Sequence, residues 1–182
     1  MPIEEKVVYY AAPTLAGCKV ANLINLTKTI CCQEDLDECR RRLCGAGIDL
    51  KILRENASSC LLYIYRRSAL EELLHTKQSR QFLSSYGYQD FTIPGALDQL
   101  ADHFKNPALF PHEVGLFLGY PFNDVVGYIT HQGKNAKLIG YWKVYDNEEA
   151  AKETFCLYNH CRKELCARFH QGEALADLSA LG

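Results

Sequence analysis

A short segment near the amino terminus carries residue types that suit an anion site. Residues 13–19 read Pro-Thr-Leu-Ala-Gly-Cys-Lys and follow an apolar run. If that run is a strand and a helix begins after it, free backbone N–H groups together with Thr14, Gly17 and Lys19 can hold an anion. The segment lacks the glycine spacing of a phosphate loop or a dinucleotide fold, so a plain connecting turn is the competing interpretation.

A second candidate is the pair formed by His112 and Glu113, which follows Pro111. Histidine can act as a general base or bind a metal, and a nearby carboxylate supports either role. Adjacent residues on a helix point about 100° apart, so these two side chains do not form a dyad by themselves. The structural alternative is a glutamate favoured by the helix dipole beside a packed histidine.

The carboxyl-terminal half adds polar and aromatic candidates. Lys134 and Asn135 follow a glycine, but Asn135 stands where a phosphate loop requires Ser or Thr, so we expect a polar turn that can line a pocket. On a strand, Tyr141 and Lys143 share one face and Trp142 takes the other. Tyr141 can then form an aromatic wall and Lys143 a charged contact for a ligand. The alternative is that this segment only packs Trp142 into the core.

The nine cysteines do not form a recognisable metal or redox motif. Cys156 with His160 and Cys166 with His170 each share a helix face, so each pair is half of a metal site. The two pairs lie about 15 Å apart along one helix, whereas zinc ligands all lie within roughly 2.3 Å of the ion. We therefore predict no metal site, name no cofactor, and expect mostly buried, reduced thiols.

The first half of the chain predicts strands and helices that must position these residues. The β-branched and aromatic run over residues 6–12 favours a buried strand, and a helix is expected over residues 15–30. Residues 33–43 have an acidic first turn and an apolar stripe, which predicts a second helix. Residues 48–54 and 59–66 predict a β-hairpin.

Side-chain alternation assigns two faces to the second strand of that hairpin. We expect Leu61, Tyr63 and Tyr65 on one face. The opposite face then carries Leu62, Ile64 and Arg66.

The second half of the chain predicts more helices. Ser68 and Glu71 match a capping box that begins a helix running as far as Tyr86. The other predicted elements are a helix after Pro94, a short helix after Pro111 that ends at Gly119, a helix over residues 124–131 capped by Asn123, a strand over residues 138–145 and a helix that runs from Asn147 to about His170.

Length and composition predict the fold class and exclude some functions. A chain of 182 residues with 48% hydrophobic content fits one α+β domain over residues 1–182, with a mobile tail at 172–182. We expect a small, mostly antiparallel sheet of about four strands with helices packed on it. The net charge of -2 argues against nucleic acid, no stretch is apolar enough for a membrane span, and the acidic start predicts a cytoplasmic protein.

Three separated motifs resemble one protein family. They are PTLAG at 13–17, HEVGLFLGYP at 112–121 and GYWKVY at 140–145, which stand in the order of the bacterial family called domain of unknown function 3793. The resemblance spans nearly the whole chain and implies an anaerobic, clostridial-type source and a redox or metal setting, but no established activity. Cys18 stands where the family has an aliphatic residue, which argues against a catalytic thiol there.

Two functional hypotheses remain open at this point. The first is a small-molecule site, enzymatic or purely binding, in a cleft formed by the three motifs. The second is a non-enzymatic accessory or regulatory protein in redox or metal physiology, which meets a redox-protein partner through its surface or its carboxyl-terminal thiols. The sequence alone does not say whether the protein is an enzyme.

Overall fold

The computed structural model describes residues 2–29, 32–106 and 109–179. Over these ranges the chain forms a three-stranded sheet covered by helices and a separate two-stranded hairpin. The strands are β1 (Ala21–Thr27), β2 (Ile48–Glu55), β3 (Ser59–Arg66), β4 (Leu138–Ile139) and β5 (Lys143–Val144). The helices are α1 (Ile3–Leu15), α2 (Gln33–Cys44), α3 (Arg67–His75), α4 (Lys77–Ser85), α5 (Ile93–Phe104), α6 (Val114–Phe117), α7 (Phe122–Thr130), α8 (Glu148–His170) and α9 (Leu175–Ser179).

The central strand of the larger sheet is β3, which pairs antiparallel with β1 on one side and β2 on the other. Ile24 lies opposite Leu62 on the β1 side, and Leu50 lies opposite Ile64 on the β2 side. A register shift follows Ile52, which is typical of a β-bulge. The predicted fold class, α+β with a small antiparallel sheet, is confirmed.

The two faces of β3 contribute to two hydrophobic cores, as the alternation predicts. Leu62 and Ile64 belong to a core shared with α1, α2, α8 and α9. Tyr63 and Tyr65 belong to a second core shared with α3, α4, α5 and α6, and Leu61 packs at its margin. Both sheet faces are therefore covered, which explains why β3 is apolar at consecutive positions.

The predicted first strand and first helix are both wrong, because the chain begins with a helix and continues with a strand. Along α1 the buried side chains include Val7, Val8, Ala11 and Leu15, which repeat at helical spacing. This spacing outweighs the strand preference of valine and tyrosine. The predicted helix over 15–30 is replaced by β1, and its predicted end lies outside the described residues.

The predicted helix from Ser68 to Tyr86 is divided into two. Ser68 lies inside α3 and does not cap it, so the predicted capping box is wrong. The division falls at Thr76, which has extended backbone and accepts a hydrogen bond from the N–H of Ser79 through its hydroxyl, at 3.1 Å. Thr76 therefore acts as the N-cap of α4.

The predicted strand over residues 138–145 is a hairpin of two very short strands. Leu138 pairs with Val144 and Ile139 pairs with Lys143, and the N–H of Gly140 donates to the carbonyl of Trp142 at 3.0 Å. The chain reverses at Gly140, so the run is not one continuous strand. The other predicted helices are confirmed, with α7 beginning at Phe122 instead of after an Asn123 cap.

The carboxyl-terminal segment packs against the first core. Leu175 and Leu178 of α9 are fully buried there, while residues 180–182 lie outside the described ranges. The predicted mobility of residues 172–182 stays a prediction. Within the described residues, every helix is too short or too polar to cross a membrane.

Two exposed glycines after α2 offer a matched test of this backbone. A Cβ added at Gly45 or Gly47 meets nothing within 4 Å, but Gly47 has φ +70° whereas Gly45 has φ -62°. We expect Gly47→Ala to lower the free energy of unfolding by about 1–2 kcal/mol, because an L side chain is strained there. Gly45→Ala should raise it by about 0.5 kcal/mol through lower entropy of the unfolded chain. Urea unfolding measures both, and equal effects would contradict the assigned backbone.

Candidate functional site

Tyr120, in the second motif, contacts the third motif and Lys19, which lies two residues after the first motif. The ammonium group of Lys19 lies 5.1 Å from the centre of the Tyr120 ring. The same ring stacks on Trp142 with centroids 5.1 Å apart, and its hydroxyl donates to the carbonyl of Tyr141 at 3.2 Å. Segments far apart in sequence therefore contact each other at this residue.

A close backbone approach joins the second motif to Val20, just before β1. Gly119 has φ +72°, and a Cβ there would lie 2.7 Å from a methyl carbon of Val20. Only glycine fits this position without displacing Val20. The turn after α6 therefore lies directly against the start of β1.

Beside Tyr120 lies a cavity of about 380 Å³, lined by α6, α7 and the β4–β5 hairpin. This volume is within the range of small-molecule sites. The wall is largely apolar, with aliphatic side chains that include Val114, Leu118 and Val125. The polar and aromatic side chains that line it include His112, Tyr120, Asp124, Tyr128, Trp142 and Lys143.

The helix α6 is held in place by two buried polar contacts. The hydroxyl of Tyr63, on β3, donates to the carbonyl of Phe117 at 2.6 Å. Glu113 is buried, and its carboxylate lies 2.6 Å from Nδ1 of His103 and accepts from the Tyr88 hydroxyl at 3.3 Å. The contacts made by the hydroxyls of Tyr63 and Tyr88 are buried, so they help to fix the orientation of the segment that carries His112.

Asp124 anchors the β4–β5 hairpin to α7. Its carboxylate accepts from the indole N–H of Trp142 at 2.7 Å and from the backbone N–H groups of Tyr145 and Asp146 at 2.7 and 2.9 Å. The residue is 3% exposed. Because three donors already bind the carboxylate of Asp124, it has little capacity left to accept hydrogen bonds from a ligand. Its role is to shape the cavity.

Two of the predicted site residues line the cavity. His112 is exposed and packs on Tyr128, with ring centroids 5.1 Å apart. Lys143 is half-buried, donates to the carbonyl of Gly133 at 2.8 Å and lies 5.9 Å from the centre of the Tyr128 ring. The predicted residues outside the cavity lining are Thr14, Gly17, Lys19, Glu113, Lys134, Asn135 and Tyr141.

The reasoning that placed an anion at residues 13–19 is wrong in its premise. Residues 13–15 form the last turn of α1 and residues 16–19 follow it, so the segment lies at the end of a helix and presents carbonyl groups and the negative end of a helix dipole. The guanidinium of Arg66 donates hydrogen bonds to two of those carbonyls, at Thr14 (2.7 Å) and Leu15 (2.5 Å). Gly17 has φ +76° and completes the helix end.

Three further candidates, Tyr141, Lys134 and Asn135, do not line the cavity. Tyr141 turns towards α8, where its hydroxyl donates to Asn159 at 2.9 Å. The predicted shared face of Tyr141 and Lys143 is therefore wrong, since Trp142 and Lys143 line the cavity together. Lys134 and Asn135 are exposed in the turn before β4, where Asn135 has φ +59°.

Lys19 is a buried cation behind the cavity wall. It is 6% exposed, and its ammonium group lies over the rings of Tyr120 and Tyr158, at 5.1 and 5.7 Å. No carboxylate among the described residues forms an ion pair with it. Removal from water lowers its pKa to about 7, although the two aromatic faces partly offset that cost.

Sequence reasoning missed three residues that shape the site. Asp124 and Tyr128 lie on the inner face of α7, and their helical spacing was the only signal for them. His103 pairs with Glu113 across two elements, which no local pattern predicts. Within the described residues, no group of three or more histidine, cysteine or acidic side chains is arranged to hold a metal ion.

Comparison with known proteins places the chain in a family. The model of the family described as "Protein of unknown function (DUF3793)" matches residues 7–179. The chain belongs to this family. Neither the curated proteins nor the solved structures contain a match. Membership in the DUF3793 family therefore gives the protein a family without assigning an activity.

The buried Lys19 predicts an unusual dependence of stability on pH. Its pKa is about 7 in the folded protein and near 10.5 when unfolded, so between these values the unfolded chain binds more protons. Stability should therefore rise with pH, by roughly 1–2 kcal/mol between pH 7 and 8.5. Urea unfolding at pH 6.5, 7.5 and 8.5 measures this rise.

The matched variant for this test is Lys19→Met, which keeps the apolar stem and removes the charge. We expect the rise above pH 7 to disappear in Lys19→Met. The measurement stops at pH 8.5 because a second group acts at higher pH. The pKa of the Cys161 thiol is about 11 in the folded protein and lower in the unfolded chain, so above pH 8.5 the unfolded chain loses protons first and stability falls. An identical slope in the wild type and the variant would show that Lys19 is protonated and solvated at neutral pH.

Proposed function

We propose that this protein binds a small, mainly apolar molecule with an aromatic ring and an anionic group in the cavity beside Tyr120. The observation that supports this most directly is the joint presence of an aromatic wall and a cation, Lys143, that forms no ion pair with the described residues, in one concave site of about 380 Å³. Such sites usually combine apolar walls with a few polar groups that orient the ligand.

The apolar part of the ligand follows from the cavity wall. Trp142 and Tyr120 are stacked with an interplanar angle of 29°, so together they present a broad aromatic surface. Tyr128 and His112 add two further rings on the α7 side. A planar ring can stack offset or edge-on against such surfaces, which adds to the gain from its removal from water.

The anionic part follows from the charges. The ammonium group of Lys143 donates to a carbonyl, and no acidic side chain in the described part of the chain pairs with it. Asp124 is the acidic residue of the lining, and its three donors already stabilise its charge. An incoming carboxylate or phosphate would therefore meet a cation and little competing negative charge.

A pair of probe molecules tests this proposal. Naphthalene-2-carboxylate and naphthalene-2-methanol share a ring system and differ in charge, and calorimetric titration measures the affinity of each. We expect the carboxylate to bind about fivefold more tightly than the alcohol, because the partly exposed Lys143 pair contributes about 1 kcal/mol. Lys143→Gln should remove that preference and leave alcohol binding nearly unchanged.

Lys137→Gln is the matched control on the same hairpin. Lys137 is exposed, donates to the carbonyl of Asp146 at 2.9 Å and lies outside the cavity lining. It should keep the full preference for the carboxylate. Equal losses in the two lysine variants would indicate nonspecific attraction of anions, and the absence of binding by both probes would refute the proposal.

A second candidate function is the accessory role, in which the protein meets a redox-protein partner through α8. It is favoured by the exposed thiol of Cys156 beside Leu157, which is 45% exposed. An exposed apolar side chain next to an accessible thiol suits a contact surface better than a buried thiol does. This candidate does not depend on the cavity.

Alkylation of the native protein tests the thiol part of this candidate. Iodoacetamide should label the exposed Cys156 and Cys44 within minutes and spare Cys39, which is fully buried and whose pKa is raised to about 12 by removal from water. Peptide mass spectrometry locates the labels. If Cys156 reacts no faster than Cys39, its thiol is not available to a partner and this role fails.

A further inference from the structure

Two cysteines that are distant in sequence lie side by side in the fold. Sγ of Cys161, in the middle of α8, donates to Sγ of Cys18, in the turn between α1 and β1, at 3.6 Å. The two residues are 143 positions apart. A disulfide has an S–S distance of about 2.05 Å, so the sulfurs need to approach by roughly 1.5 Å to bond.

The two thiols differ in a way that assigns them different roles. Cys18 is exposed and accepts the hydrogen bond from its partner, whereas Cys161 is 5% exposed. An oxidant in solution therefore meets Cys18 first. Burial and the contact with Cys18 raise the pKa of Cys161 to about 11, so Cys161 remains a protonated thiol at neutral pH.

The position of Cys18 in a turn makes the approach of the two sulfurs feasible. Its backbone N–H donates to the carbonyl of Pro13 at 2.8 Å, and its side chain lies outside both cores. A small rotation of an exposed side chain costs less than a shift of the helix that carries Cys161. The bond can therefore form with α8 in place.

We propose that Cys18 and Cys161 form a dithiol site that hydrogen peroxide oxidises to an intramolecular disulfide. Sγ of Cys18 attacks one peroxide oxygen and the O–O bond breaks. The departing hydroxide takes the proton of the Cys18 thiol and leaves as water, and a sulfenic acid remains on Cys18. Sγ of Cys161 then attacks the sulfenic sulfur, the S–O bond breaks, and the departing hydroxide takes the thiol proton as a second water. Overall two thiols lose two electrons and two protons, and one peroxide is reduced to two waters.

The disulfide would join the α1–β1 turn to α8 beside the cavity wall. Tyr158 lies one helical turn before Cys161, and its ring contacts the ammonium group of Lys19, the residue after Cys18. The disulfide would therefore link the same two segments, the α1–β1 turn and α8, that the contact between Lys19 and Tyr158 already brings together. Because it closes a long loop, the oxidised chain should unfold at a higher temperature than the reduced chain.

The experiment treats the fully reduced full-length protein with hydrogen peroxide, blocks remaining thiols with iodoacetamide and maps the peptides by mass spectrometry. We expect a disulfide between Cys18 and Cys161 that dithiothreitol reverses, and an increase of the melting temperature by about 5 °C or more. A peptide map that contains other oxidised thiols and lacks this disulfide would overturn the proposal.

Three variants separate the two steps. Cys161→Ser should stop at the sulfenic acid on Cys18, which dimedone traps, whereas Cys18→Ser should form neither the sulfenic acid nor the disulfide. Cys156→Ser, which removes an exposed thiol on the same helix, should behave as the wild type. Circular dichroism confirms folding, and Cys161→Ala replaces Cys161→Ser if the buried hydroxyl disrupts the core. Dimedone labelling that is no greater in Cys161→Ser than in Cys18→Ser would refute the assigned order.

Discussion

The structure depends on the burial of both faces of the central strand β3. This strand pairs with β1 on one side and β2 on the other, and its apolar side chains point alternately to the two faces of the sheet, so both faces must be covered. Leu62 and Ile64 are covered by α1, α2, α8 and α9, and Tyr63 and Tyr65 by α3 to α6. The position of nearly every helix follows from this requirement, since each one shields part of a single strand from water.

The cavity forms where helices and the β4–β5 hairpin cover the sheet face that carries Tyr63 and Tyr65. Tyr63 reaches out of that face and fixes α6 through the carbonyl of Phe117. The chain then continues through α7 into a hairpin too short to be stable alone, which Asp124 and Trp142 attach to the body. The gap between α6, α7 and this hairpin is the cavity, so its shape depends on one buried carboxylate and its three donors.

Tyr120 connects this cavity to the turn between α1 and β1. One face of its ring meets the indole of Trp142, and the ammonium group of Lys19 lies over the ring. A buried amine without a counter-ion raises the free energy of the folded state, and the aromatic contacts offset only part of that cost. Cys18 is the residue before Lys19 in the turn between α1 and β1. The buried charge of Lys19 and the proposed thiol pair therefore belong to the same segment behind the cavity wall.

Periodic patterns in the sequence by itself determined the α+β class, the β2–β3 hairpin with its two faces, and the helices α2, α5 and α8. The residue types of His112 and Lys143 marked them as site candidates, and both line the cavity. Tertiary structure alone decided the exchange of strand and helix at the amino terminus, where valines and tyrosines with a local preference for strand became helical. Burial of Val7, Ala11 and Leu15 against α8 and the sheet outweighs that preference. Tertiary structure also decided the turn at Gly140 and the pairings of Glu113 with His103 and of Cys18 with Cys161. Each depends on a contact between elements distant along the chain, and the free energy of such a contact exists only once the fold has brought its two sides together.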